Sequence, residues 1–167
     1  MKKRDTQDYR AELLFRLLLD TGIKKGEAAK LTRNSIDRTN PHNPILTVRH
    51  KSRNVYKERR IALDPEWLKL LDLYLTQYGP DDKLFECTPR NLEYILTAIG
   101  EGAEIPFKLS FEVMRWTSAV RDHRLGMEDR DLREKMGLSE ASWAETNNKI
   151  KTLAQRLAED ESARTFR

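Results

Sequence analysis

Hydrophobic and polar positions along the chain follow two periods. Leu13, Leu14, Leu17 and Leu18 recur at helical spacing between Tyr9 and Asp20, and the run stops at Thr21-Gly22, a helix-ending pair. A short second helix is predicted over Lys25–Leu31, with Ala28, Ala29 and Leu31 facing inward. The cluster "NPHNP" predicts a loop. The period then shortens: "ILTVRH" and "RRIAL" are β-rich runs joined by a polar, basic connection, which reads as a hairpin. Pro65 opens the next helix, whose Trp67, Leu68, Leu71 and Leu75 form a core stripe. After the turn "YGPDD", Thr88 as N-cap and Pro89 at the first helical position start a helix that ends at Gly100. "IPFKLS" is an extended link, "FEVMRWTSAVRDHRLG" a helix stopped by Gly126, and "MEDRDLREKMG" a shorter helix. Ser139 caps a long last helix with a polar end. The pattern predicts a mainly α fold with a small antiparallel β-hairpin or sheet, in a single domain over 1–160, with a frayed tail over 161–167.

Composition narrows the function classes. The single cysteine, Cys87, rules out an internal disulfide or a cysteine metal cluster, and His42, His50 and His123 lack metal-ligand spacing. No metal and no cofactor are expected. No apolar run approaches the ~20 residues of a membrane span, and the basic start "MKKRDTQDYR" is not followed by a stretch of signal-peptide character, so a cytoplasmic protein without membrane contact is expected. The net charge of +4 is modest but uneven: "RHKSRNVYKERR", Arg49 to Arg60, holds six Lys or Arg against one Glu. Local density of positive charge is what attracts a polyanion.

The order of two helices, a basic hairpin and four or five further helices resembles the catalytic domain of the tyrosine recombinase (phage integrase) family, from about residue 8 to about residue 155. "TGIKKGEAAKL" looks like the first family box, "ILTVRHKSRNVYKERRIAL" like the hairpin that carries a catalytic lysine, with Lys51 at the matching place. "EVMRWT", Glu112 to Thr117, looks like the second box, and "MGLSEAS", Met136 to Ser142, like the later leucine-glycine-histidine motif. In that family a tyrosine attacks a DNA phosphodiester, arginines clamp the charge of the transition state, a lysine protonates the leaving oxygen and histidines move protons.

Carried over residue by residue, the resemblance implies a degenerate site. The first-box arginine is Lys24, which lacks the guanidinium fork. The second-box histidine is Glu112, and the later histidine is Leu138. The tyrosine position falls at Asn147 or Asn148, and the five tyrosines, Tyr9, Tyr56, Tyr74, Tyr78 and Tyr94, all precede it. A carboxamide cannot form the covalent intermediate. Only Arg115, Trp116 and, less closely, Lys51 match. The remnant positions are therefore Lys24, Lys51, Glu112, Arg115, Leu138 and Asn147, and an inactive domain is expected rather than an enzyme.

The resemblance then implies double-stranded DNA as the partner, held by Lys24, Arg49, Lys51, Arg53, Lys57, Arg59 and Arg115, with Arg53 or Asn54 nearest a base edge. The family's separate DNA-clamping domain has no counterpart in this sequence, so weak and strongly salt-dependent binding is expected. Plainer readings stand beside these. Glu27 reads equally as an intramolecular partner, Arg115 as a structural arginine paired with Glu27 or Glu112, and the three tryptophans as core. "DLREKMGLSEASWAETNNKI" also reads as a helix-turn-helix that would meet DNA through a different surface. Two rivals remain: an active or trans-complemented recombinase fragment, and a module that kept the fold for self-association or a partner protein.

Overall fold

The computed structural model describes residues 7–52 and 55–165, with residues 51 and 52 described by backbone alone. Expectations for Arg53, Asn54 and the Lys51 side chain fall outside the described residues. Among those described, seven α-helices surround a three-stranded antiparallel sheet, as the hydrophobic pattern predicts.

The first helix, α1 (Tyr9–Thr21), begins at Asp8, whose carboxylate accepts from the Arg10 amide, and buries Leu13, Leu14, Leu17 and Leu18 completely. Gly22 ends it in the left-handed region at φ 60°. The short α2 (Lys25–Lys30) follows, its Glu27 carboxylate reaching back to the Lys24 amide at 2.9 Å. The sheet contains β1 (Ile36–Asp37), β2 (Ile45–Ser52) and β3 (Val55–Ala62), in the order β1-β2-β3. Both main strands run longer than the β-rich runs of the sequence, because cross-strand pairing continues through the charged positions to Ser52 opposite Val55. Backbone hydrogen bonds do not depend on whether the side chains are apolar.

Four helices complete most of the body: α3 (Pro65–Tyr78), α4 (Pro89–Gly102), α5 (Phe111–Arg124) and α6 (Asp129–Met136). The last helix, α7 (Glu140–Thr165), runs on past Asp160, where the sequence predicts fraying; Arg124 of α5 holds Glu161 through two hydrogen bonds there. The apolar residues gather in two clusters. The larger packs α1, α3 and α4 with the sheet around Trp67, Leu71, Tyr74 and Phe85. The smaller holds α5, α6 and α7 together around Ala119, Leu132, Met136 and Ile150, with Trp116 and Trp143 packed against it. All three tryptophans thus belong to the packing of the core, as expected. No described helix is long and apolar enough to cross a membrane.

Candidate nucleic-acid interface

The sheet positions the site through its register. Leu46, Val48 and His50 alternate on one face of β2 and lie opposite Ile61, Arg59 and Lys57 of β3. That face is apolar at the core end, where Leu46, Val48 and Ile61 are buried, and turns polar along the hairpin. There it meets α2 on one side and α6 on the other, leaving a cleft of about 1030 Å³. Lys24, Lys30, Arg49, His50, Lys57 and Arg59 line it, with Leu138 and Gly137 at the end of α6.

Arg59 occupies the floor of this cleft and is almost fully buried. Its guanidinium donates to both oxygens of Glu27, at 2.5 and 2.8 Å, and through Nε to the Lys135 carbonyl at 2.9 Å. Its Nη1 also lies 3.3 Å from His50 Nδ1. Burial pushes the Glu27 carboxyl up, but the hydrogen bonds and charge of Arg59 and the Lys24 amide outweigh it and hold the group below the usual carboxylate range. Gly137 closes this junction. Its φ of 69° favours glycine, and a Cβ there would lie 2.9 Å from the Arg59 guanidinium.

Arg115 forms a second tie. It donates to the Gly22 carbonyl at 2.8 Å and to the Met136 carbonyl at 2.7 Å, joining the C-terminal ends of α1 and α6. Two guanidiniums therefore sit on the last carbonyls of α6, where the helix dipole favours cations. The sequence offered Glu27 or Glu112 as the partner of a structural Arg115. The partners are main-chain carbonyls instead, because α5 crosses beneath two helix ends whose carbonyls have no intrahelical donor.

The expected DNA-facing residues thus divide. Lys24, Arg49 and Lys57 are exposed on the cleft, Lys24 and Lys57 outside every ion pair found among the described residues. Arg49 pairs with Glu58 at 3.2 Å across the hairpin, an exposed pair of the kind that contributes little. Arg59, expected to hold phosphate, is placed differently: its burial and four internal contacts make it a tie between β3, α2 and α6. Arg115 spends two donors internally and remains half-buried. Sequence reading missed Lys30 and His50. Lys30 lies on the same cleft wall as Lys24, and the strand alternation of Leu46 and Val48 would have placed His50 there too.

Of the remnant positions whose side chains are described, Lys24 and Leu138 line the cleft, whereas Glu112 and Asn147 do not. Glu112 is exposed in the first turn of α5, where an anion favours the helix dipole, and does not line the cleft. Leu138 lines the cleft while packing against the α5–α7 cluster. Asn147 lies outside the cleft lining; its amide donates to Asp129 at 3.0 Å, at the start of α6. The helix-turn-helix reading has its helix pair in α6 and α7 joined at Gly137, but the exposed opening of α7 carries Glu140 and Glu145, which repel phosphate.

No protein-family model and no curated protein matches the sequence. Solved structures do match in fold. The crystal structure of XerA recombinase superposes with a TM-score of 0.75 at 23% identity, over 93% of this chain and 57% of that one. XerH site-specific recombinase, bound to palindromic difH substrate in a post-cleavage complex, gives 0.73 at 21% identity, over 92% and 45%. The Tn1549 transposon integrase in complex with transposon right end DNA gives 0.62 at 17% identity, over 96% and 61%. This chain therefore spans less than two thirds of the length of each of those proteins.

Proposed function

The chain has the fold of the tyrosine recombinase catalytic domain, and we propose that it binds duplex DNA through the cleft between β2–β3, α2 and α6 without cutting it. The observation that carries this reading is the gathering of Lys24, Lys30 and Lys57, all exposed, on the rim of one cleft. Ammonium groups of this kind contact phosphates without regard to sequence. In the sequence, Arg49, Lys51 and Arg53 belong to the same basic run as Lys57. The XerH and Tn1549 structures hold their own DNA substrates on the same fold, which agrees with the proposal.

Loss of cleavage follows from the side chains. Asn147 offers no nucleophile, Leu138 no proton, and Glu112 is an exposed anion outside the cleft lining. Arg115 keeps a guanidinium near the cleft, but Lys24 gives the transition state one point charge where a fork stood.

One observation favours the rival protein-interaction module: Asp131 and Glu134 on α6 line the same cleft and oppose phosphate. Fluorescence anisotropy of a labelled duplex of ~30 base pairs separates the two readings when measured at two salt concentrations. Binding that weakens steeply with salt and is abolished in the double variant Lys24→Glu, Lys57→Glu supports the DNA reading. Binding absent at low salt, or unchanged in that variant, refutes it and leaves the cleft to a protein partner.

A further inference from the structure

Arginine has five N–H donors and no acceptor, so the contact between Arg59 Nη1 and His50 Nδ1 can be a hydrogen bond only if Nδ1 carries no proton. Taken as that hydrogen bond, the contact selects one tautomer. A neutral His50 with an unprotonated Nδ1 must hold its proton on Nε2. His50 lines the cleft and is half-exposed, and the contacts among the described residues give its Nε2 no partner. The groups around it are Lys57 and Arg59 on β3, Lys24 just before α2 and Glu27 on it, and Glu134 and Lys135 across the cleft on α6. Burial first, and then the Arg59 charge, hold the imidazole below its ordinary range, so the uncharged form prevails at neutral pH.

We propose that His50 is a phosphate-binding residue of this cleft, donating a neutral Nε2–H to a non-bridging phosphate oxygen while Arg59 fixes its ring from the other side. The inference deepens the DNA-binding reading and rests on it for the source of the phosphate. It gives the cleft a contact different in kind from the lysines. An ammonium releases a counterion when it meets phosphate; a neutral imidazole does not. The His50 contact therefore adds affinity without adding salt dependence, and its geometry is set by a buried ion pair rather than by a flexible side chain.

Two measurements on the full chain test this. In long-range 1H–15N correlation spectra at fixed pH 7.5, the free protein should show His50 as the Nε2–H tautomer. Inorganic phosphate and a duplex of ~30 base pairs should each shift its Nε2 signal. An Nδ1–H tautomer, or an Nε2 unmoved by phosphate, overturns the proposal. If phosphate shifts Nε2 but no duplex binds, the phosphate-donor role stands and the DNA reading falls. If the duplex binds without moving Nε2, the DNA reading stands and the role of His50 falls.

The second measurement is duplex affinity in three variants. His50→Ala should weaken binding about fivefold to tenfold, the worth of one hydrogen bond, with the salt slope unchanged. His50→Gln places an amide N–H near the position of Nε2 and should keep most of the affinity. His50→Asn keeps only an acceptor for Arg59 and should bind like His50→Ala. The reverse order, Asn restoring and Gln failing, means that His50 acts only by holding Arg59 and overturns the assignment.

Discussion

Arg59 and Glu27 grip each other through two hydrogen bonds, at 2.5 and 2.8 Å, with side chains only 9% and 8% exposed. The pair fastens the hairpin to α2, and the Arg59 Nε fastens both to the end of α6. Removing the carboxylate leaves a buried guanidinium without its counter-charge. Glu27→Ala should therefore cost about 3–5 kcal/mol of stability, read as a lowered midpoint in urea unfolding. A loss below about 1 kcal/mol would show that water reaches Arg59 and replaces the carboxylate.

The same junction sets a response to acid. The Glu27 carboxyl lies below its ordinary value of 4.5 in the folded protein, so its contribution is full above that pH and is lost as pH falls through the depressed folded value. The His50 imidazole also lies below its ordinary value of 6.5, so the unfolded chain takes up that proton first and stability begins to fall below about that pH. Unfolding midpoints should hold steady from pH 7.5 to 6.5, decline gently below, and decline again below 4.5. In His50→Gln the first decline should vanish while the second remains.

Gly137 is required twice, by its left-handed backbone and by the approach of Arg59. Gly137→Ala should cost at least about 1 kcal/mol for the backbone alone. The displaced guanidinium should also weaken duplex binding, since His50 and the hairpin move with it. Thermal unfolding and anisotropy on the same sample check both. A stable variant with unchanged affinity would mean that Arg59 shifts aside freely.

Restoring the missing nucleophile alone should not restore chemistry. Asn147→Tyr is expected to give no covalent protein–DNA adduct with a nicked duplex on denaturing gels, because Leu138 supplies no proton and both Glu112 and Asn147 lie outside the cleft lining. An adduct would show that α7 brings position 147 to a phosphate when DNA binds.

Charge substitutions on the rim should act additively on salt dependence. Lys57→Ala and Lys24→Ala should each reduce the slope of log affinity against log salt by about 0.9, at any duplex sequence. A slope unchanged in both would place the DNA, if it binds, on another face.

The elements were legible because burial of one face imposes a period that the chain must write into its sequence. Leu13 to Leu18, the Thr88-Pro89 cap and the Gly22 stop each state a local structure that needs no distant partner. The ends of the strands were not legible: backbone pairing carries β2 and β3 through charged positions that show no β pattern. The fate of the arginines was illegible for a similar reason. Arg59 and Lys57 stand two residues apart in one basic run, yet one is buried against Glu27 and the other is exposed. Nothing in a run of like charges says which member will find a carboxylate 32 residues away. By itself the sequence determined the helices, the hairpin, the resemblance and the absence of a tyrosine after Tyr94. Only the tertiary structure decided which cations remain available to a partner, because a charge buried in low dielectric must be satisfied from within, while one left in water need not be.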